Sequence, residues 1–171
     1  VLRHFYPEAL QKGWSIYGSD IQARPIQWMR ENFPDCFTIF TGSTMPHLPL
    51  EDNSLDVIYG FSVFTHIKYH WDMWLLELKR VLKPGGIMIQ TIHSEHAWKF
   101  YYDHKDQDWV INNHSAKMLE VRDMPHDYFF YGDLSVSQVF YKREIARKYW
   151  QRYFTILNVL PPPQRSFQDW M

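Results

Sequence analysis

The sequence has a single cysteine, no excess of charge of either sign and no apolar run long enough to cross a membrane. Cys36 cannot form an internal disulfide, so a secreted location finds no support and a cytoplasmic one is expected. The 18 basic and 19 acidic residues give a formal charge of −1, which predicts no nucleic-acid partner. The longest apolar stretch, residues 55–64, is about half the length of a membrane span. These absences leave a small molecule or another protein as the expected substrate.

Aromatic side chains, by contrast, are abundant. They make up 18% of the sequence and include eight tryptophans. Such a content predicts either a dense core or a pocket lined with flat rings. The 171 residues, 46% of them hydrophobic, suffice for one ordinary core. We therefore expect a single domain over residues 1–171.

Apolar runs alternate with helical periodicities along the first half of the chain. The expected strands cover residues 14–21, 36–42, 55–64 and 87–92. The nearly continuous apolar run at 55–64 is typical of a strand covered on both faces. Helices are predicted over 23–33, ended by Pro34, and from about Trp71 to Lys83, ended by Pro84 with Gly85 or Gly86. This alternation predicts an α/β fold with a doubly wound, mostly parallel sheet.

The second half of the chain is less regular. Residues 94–133 mix aromatics, histidines and acids without a clear period, and we interpret them as an irregular lid or insertion within the domain. The segment "KREIARKYWQRY" then predicts a helix, "FTILNVL" a strand, and "FQDWM" the beginning of a last strand.

Asp20 lies at the carboxyl end of the first expected strand, where open α/β sheets bind their ligands. A carboxylate there can accept both hydroxyls of a ribose, and in nucleotide-binding sites it follows a glycine-rich loop by roughly 20 residues. Counting back from Asp20 ends just before Val1, so we expect that the first strand and its loop are missing. The alternative is that Asp20 caps a helix or a turn.

Four segments together resemble one family. "YGSDI", "LPLEDNSLDVIYGFSVFTHI", "WLLELKRVLKPGG" and "QTIH", in this order and spacing, are similar to class I S-adenosylmethionine-dependent methyltransferases, especially bacterial small-molecule members. The resemblance covers residues 1 to about 93. It implies a Rossmann-like methyltransferase fold, S-adenosylmethionine as the cofactor and a small-molecule acceptor, with a sugar or glycan intermediate as the more specific hypothesis. We expect this chain to depart from the pattern by lacking the first strand and the Gly-rich loop, as in an N-terminally truncated domain.

The resemblance also assigns roles to particular residues. It implies that Asp20 holds the ribose diol, that Ile21 packs on the adenine, and that the segment after the expected strand at 36–42, which is the third strand of the family's sheet, touches the adenine. That segment comprises Ser43, Thr44 and Met45. The alternatives are an ordinary core residue at Ile21 and a plain polar loop at 43–45.

The resemblance further places the main chain of Gly60, Phe61 and Ser62 beside the sulfonium. A missing side chain at Gly60 would let the ligand approach closely, and a strand bulge is the alternative. We expect these residues and Asp20 to line one nucleoside-sized cleft.

Two histidines are candidate bases for the acceptor. His66 and His93 each follow a strand, and a neutral imidazole can take a proton from a hydroxyl or an amine. A structural role is the alternative for both, as a helix cap near Lys68 in the case of His66. The pairs His66 with His70 and His93 with His96 lack further ligands, so no metal site is predicted. No "GxSxG" motif supports a hydrolase.

Two other functions compete with methyl transfer. A non-catalytic, truncated module could bind a partner or self-associate, because unpaired strand edges favour a homodimer. A nicotinamide-dependent oxidoreductase would also require an acid at Asp20.

Overall fold

The computed structural model describes residues 2–113, 120–132, 137–162 and 167–171. The chain forms two compact units, Val1–Pro49 and Leu50–Met171. Each unit is described by itself below. The assignment of one domain to the whole chain stays a prediction.

The first unit is built around two parallel strands. A 3₁₀ turn, Leu2–Phe5, leads into α1 (Tyr6–Lys12), and the unit continues with β1 (Ile16–Asp20), α2 (Ala23–Asn32) and β2 (Phe37–Thr41). The register runs from Ile16 opposite Phe37 to Asp20 opposite Thr41. The carboxyl ends of β1 and β2 therefore lie side by side, and the predicted strand, helix and strand are confirmed.

Helix α2 forms because its apolar positions recur at helical spacing. Ile26 is fully buried and packs with Phe37 and Ile39 of β2, while Met29 and Phe33 complete the cluster. The helix ends at Asn32, two residues before Pro34, as proline steric hindrance predicts.

In its described residues, the second unit contains a three-stranded sheet, a separate pair of strands and four helices. Its elements are β3 (Leu55–Gly60), α3 (Trp71–Val81), β4 (Leu82–Ile92), α4 (Glu95–Asp103), α5 (Asp108–Asn113), β5 (Tyr128–Tyr131), β6 (Gln138–Tyr141), α6 (Arg143–Trp150) and β7 (Asp169–Trp170). β4 pairs with β3 in parallel and with β7 in antiparallel orientation. β5 and β6 form a separate antiparallel pair. A parallel bridge between His93 and Phe140 connects the end of β4 to β6.

The end of α3 differs from the prediction. The helix stops at Val81, and Leu82 already has extended backbone angles, so the strand begins before Pro84 rather than after it. Gly85 does take a left-handed φ of 80°, but it does so inside β4. Between the pairs Leu55–Leu82 and Val57–Ile87, β3 advances by two residues and β4 by five, so β4 carries a bulge of three extra residues there.

The prediction that β3 is covered on both faces is wrong for the described residues. Val57 is 58% exposed and Tyr59 37%, and their neighbours on β4, Ile87 and Ile89, are 49% and 38% exposed. One face of the β3–β4 pair is therefore open. An apolar run alone cannot distinguish a strand buried on both faces from one with an open apolar face.

The region 94–133 is more regular than predicted in its described part. It contains α4, α5 and β5, and Trp98, Tyr101 and Val110 from it are core residues. Aromatic side chains pointing inward from short elements explain why no long period was visible. Residues 114–119 and 133 lie outside the described part, and a lid function stays a prediction.

The predicted strand at 154–160 is wrong, because only Leu160 forms a bridge, to Trp170. Leu157 is 80% exposed there, so the apolar alternation of this segment does not mark a buried face. The predicted helix before it is confirmed as α6, with Ala146 and Trp150 buried. The last predicted strand is confirmed as β7.

Candidate functional site

The carboxyl ends of β1 and β2 bring together the predicted residues of the first unit. The Asp20 carboxylate is exposed, and its Oδ1 atom accepts the backbone N–H of Gln22 at 2.8 Å. Its Oδ2 atom forms no hydrogen bond with the residues that the structure describes. The backbone N–H of Gly42 donates to the Asp20 carbonyl at 2.8 Å, which ties the loop after β2 to the end of β1. Asp20 thus shapes a turn and still presents one free carboxylate oxygen.

Apolar side chains lie on both loops beside this carboxylate. Ile21 is 45% exposed and Met45 is 58% exposed, so neither is a core residue. The Ser43 hydroxyl accepts the Met45 N–H at 3.1 Å and donates to the Met45 carbonyl at 3.2 Å, which folds the loop into a tight turn. Exposed apolar groups on the loops that follow β1 and β2, together with a free carboxylate oxygen at the end of β1, suit a ligand with one flat apolar part and one hydroxyl-bearing part.

The carboxyl ends of β3 and β4 are arranged differently. Gly60 lies opposite Gln90, whose side chain is buried beside it. With the amide nitrogen of Gln90 facing the Gly60 carbonyl, both main-chain groups of Gly60 are hydrogen-bonded at 3.3 Å. A Cβ atom at position 60 would lie 2.1 Å from the Gln90 amide. A side chain at position 60 would therefore displace the Gln90 amide, independently of any ligand.

Ser62 is held in a left-handed conformation by two side chains, Thr91 of β4 and Gln168, which directly precedes β7. Its φ is 57°, which is unusual for a residue other than glycine. Its N–H donates to Thr91 Oγ1 at 2.8 Å, Thr91 Oγ1 donates to Gln168 Oε1 at 2.6 Å, and Gln168 Nε2 donates to Ser62 Oγ at 2.7 Å. This closed ring of hydrogen bonds fixes the turn after β3. Phe61, which precedes Ser62, is 51% exposed.

His93 lies at the end of β4 but is enclosed. It is 2% exposed, and its ring centroid is 5.1 Å from that of Phe140 and 5.5 Å from that of Phe167. Its Nε2 atom is 3.3 Å from Gln168 Nε2. An amide nitrogen can only donate, so His93 Nε2 accepts this bond. His93 therefore helps to fix the Gln168 side chain, which in turn bonds to Ser62.

His66 is half-buried in the loop between β3 and α3. Its Nδ1 atom is 2.6 Å from the carbonyl oxygen of Ser137. Because a carbonyl only accepts, Nδ1 carries the proton and Nε2 keeps a lone pair in the neutral ring. The loop is also tied to the β5–β6 pair by the bond from Val139 N–H to the Thr65 carbonyl, at 2.9 Å. His66 does not cap α3, which begins at Trp71 after His70.

The sequence did not indicate several residues that hold the turn after β3 in place. Gln90 and Thr91 lie in the "QTIH" segment. Polar residues in a strand that is expected to be buried indicate that their side chains form hydrogen bonds, and this signal could have identified both. Gln168 lies 106 residues from Ser62, and no local pattern indicates that they meet.

Within the described ranges, no group of three or more metal-ligating side chains occurs. None of the described helices is long and apolar enough to cross a membrane.

Parallel strands whose carboxyl ends carry an acid, polar turns and exposed apolar groups define a Rossmann-like α/β ligand-binding fold. A family model described as "Methyltransferase domain" matches residues 4–90, which is 87 of the 171 residues. The chain therefore belongs to this methyltransferase family. No curated protein matches it in sequence.

Solved structures of methyltransferases share the fold. An S-adenosylmethionine-dependent methyltransferase from Mesorhizobium loti is 14% identical, with a TM-score of 0.62 over 97% of this chain and 83% of its own. A SAM-dependent methyltransferase from Methanosarcina mazei is 14% identical, with a TM-score of 0.60 over 96% and 83%.

A third likeness is to a structure of the complex between the Trm112 methyltransferase activator of Haloferax volcanii and its proposed methyltransferase. It is 18% identical, with a TM-score of 0.59, and covers 89% of this chain. The chain spans only 54% of that protein. At these identities the likeness concerns the fold.

Proposed function

We propose that this chain binds S-adenosylmethionine and serves methyl transfer to a small-molecule acceptor. The observation that carries the proposal is the free Oδ2 atom of Asp20 at the carboxyl end of β1, inside the segment that the methyltransferase model matches. When bound, S-adenosylmethionine supplies a methyl group already activated on a sulfonium. Positioning and exclusion of water can then provide most of the acceleration.

The residues of the first unit fit the nucleoside part of this cofactor. Asp20 Oδ2 would accept a ribose hydroxyl, while Oδ1 stays bonded to Gln22. Ile21 and Met45 offer exposed apolar surface for the adenine, and Ser43 and Thr44 would contact its edge. The chemistry of the donor and acceptor set therefore agrees with a nucleoside.

The turn after β3 would serve the sulfonium part. Gly60, Phe61 and Ser62 would present their main chain to it, because the Thr91 and Gln168 side chains fix this turn in advance. Preorganised main-chain groups need no rearrangement when the ligand binds. Gly60 would contribute through backbone position.

His66 is the better candidate of the two proposed bases. Its Nδ1 atom is committed to the Ser137 carbonyl, which orients the ring and leaves Nε2 able to accept a proton. For His93 we propose a positioning role, because its Nε2 already accepts a bond from Gln168 and the side chain is 2% exposed.

For the acceptor, we propose a small molecule with rings, such as a sugar intermediate. Tyr69 is 59% exposed, and its ring lies 5.6 Å from that of Phe130 in an edge-to-face contact. Both side chains lie near the loop that carries His66, and exposed aromatic faces bind the apolar faces of sugar rings. A cytoplasmic location accompanies this proposal.

A titration calorimetry experiment tests the cofactor. S-adenosylhomocysteine should bind, and Asp20→Asn should weaken binding about tenfold, or about 1.4 kcal/mol. Asp35→Asn is the matched control, since it removes another exposed carboxylate of the same unit. Equal affinities of both variants for S-adenosylhomocysteine would refute the role of Asp20. The reduced nicotinamide cofactor should give no heat, because the proposal excludes the oxidoreductase alternative.

The second candidate is a non-catalytic module that self-associates. Among the described strands, β3 pairs only with β4 and β1 only with β2, so each has a further edge for another chain. The open face at Val57 and Ile87 adds apolar surface beside the edge of β3. Light scattering that shows a monomer at every concentration would refute self-association.

A further inference from the structure

The second unit contains a cavity of about 900 Å³ that none of the proposed cofactor-binding residues lines. Its walls come from the start of α4, the start of α6 and the segments 122–124 and 157–159. Volumes of roughly 300–1,000 Å³ are typical of small-molecule sites. The cavity is therefore large enough for a complete small ligand.

Positive charge prevails in the lining. Its cations are Lys99, Arg122, Lys142, Arg143 and Arg147. Three acids, Glu95, Asp123 and Glu144, leave a formal charge of +2 on the lining residues, and Asp127 and Asp169, which pair with two of the cations from outside the lining, offset it. One of these acids is already committed, because Glu95 accepts the backbone N–H of Arg143 at 2.8 Å. Selection of an anion therefore depends on the cations that have no ion-pair partner.

The cations differ in whether the protein already neutralises them. Lys142 pairs with Asp127 at 3.0 Å, and Arg143 pairs with Asp169 at 2.7 Å. Lys99, Arg122 and Arg147, in contrast, form no ion pair with any side chain that the structure describes. These three charges remain available to a ligand.

A buried carboxylate fixes Arg143, one of the cations in the cavity lining. Asp169 of β7 is fully buried, and its Oδ1 atom accepts Arg143 Nη2 at 2.7 Å. His96 Nδ1 lies 2.5 Å from the same Arg143 nitrogen and 3.0 Å from Asp169 Oδ1. The guanidinium has further donors besides the one that Asp169 engages. A buried carboxylate thus holds an arginine in place, which lowers the entropy cost of binding an anion.

Apolar side chains complete the lining beside the cations. Leu157 is 80% exposed and Val159 is half-buried, while Met124 is buried at 7% exposure. A leucine with so much exposed surface would be covered by the apolar part of a ligand. We propose that this cavity binds a small organic anion, with a phosphate or carboxylate on the cations and an apolar body against Leu157. The proposal does not depend on methyl transfer.

Titration calorimetry with simple probes tests this site. Phenyl phosphate and benzoate, which distinguish phosphate from carboxylate recognition, are compared with the neutral benzyl alcohol. At least one anion should bind, and benzyl alcohol should bind more than tenfold more weakly. Binding of the anion should weaken as salt increases.

Two neighbouring variants on α6 give the matched comparison. Arg147→Ala should weaken the bound anion about fivefold, and Lys148→Ala, which removes an exposed cation outside the cavity, should change it less than twofold. Arg122→Ala should behave like Arg147→Ala. Absence of binding by both anions, equal binding of benzyl alcohol, or equal effects at positions 147 and 148 would overturn the proposal. Circular dichroism confirms that each variant is folded.

Discussion

The two polar groups at strand ends differ in how the protein holds them. At the end of β1, Asp20 is exposed and its carboxylate has one bond, to a residue two positions away. At the end of β3, Ser62 is held by Thr91 and Gln168, which are 29 and 106 residues away. The first group needs only a local turn, whereas the second needs the second unit to be folded. We expect substitutions to affect the two groups very differently.

The largest effect is expected at Gly60. Gly60→Ala places a Cβ atom 2.1 Å from the Gln90 amide, and overpacking of this kind should lower the free energy of unfolding by about 3 kcal/mol. Urea denaturation measures this change. Because the close atoms belong to the end of the Gln90 side chain, Gly60→Ala with Gln90→Ala should be more stable than Gly60→Ala alone. A double variant as unstable as the additive sum would show that the contact with Gln90 is not the cause.

The next effect concerns the ring of hydrogen bonds around Ser62. Thr91→Val keeps the shape but removes both bonds of the hydroxyl, which leaves buried partners unsatisfied and should cost about 2 kcal/mol. Thr91→Ser keeps the hydroxyl and should recover part of this loss, along with the affinity for S-adenosylhomocysteine. If valine and serine variants bind this ligand equally well, the ring does not position the turn.

A smaller effect is expected at alkaline pH, at Tyr128 of β5 and Tyr101 of α4. Burial raises the pKa of Tyr128 to about 12, and burial also raises the pKa of Tyr101. Since both raised values favour the neutral form, their contribution to stability is complete below pH 10 and is lost as the pH rises toward 12 and beyond. Absorbance at 295 nm should show delayed ionisation. Tyr128→Phe should remove one late step, and an unchanged titration curve would contradict this assignment.

The smallest effect on stability is expected at Asp20. Asp20→Asn should change the free energy of unfolding by less than about 0.5 kcal/mol, because the side chain is exposed and its one bond is local. Urea denaturation of this variant and of Thr91→Val gives the contrast between the two groups. A loss at Asp20 as large as that at Thr91 would abolish the comparison.

What the sequence predicted follows the same division. Strands β1 and β2, helix α2 and the position of Asp20 depend on local periodicity and on the residues next to them, and the structure has them within a few residues of the predicted places. The end of α3 was misplaced because the left-handed glycine serves a bulge inside β4. A φ requirement indicates glycine but not the element that uses it.

The partners of Ser62 and His93 could not be predicted in the same way. Gln168 reaches both only when β7 pairs with β4, and this pairing depends on contacts across the whole second unit. The burial of the aromatic residues in 94–133 was hidden for a similar reason, since α4 and β6 share one core. Long-range packing, unlike a turn, leaves no local pattern in a single sequence.

Backbone-amide NMR during titration with S-adenosylhomocysteine decides whether one nucleoside ligand engages both strand ends. We predict that the amide signals of Ile21 and Met45 and those of Phe61 and Ser62 shift together, with a single dissociation constant. Signals at Asp35 and Lys148 should stay in place. Shifts confined to one of the two groups, or shifts that fit two different dissociation constants, would contradict the proposal that these residues bind the same cofactor.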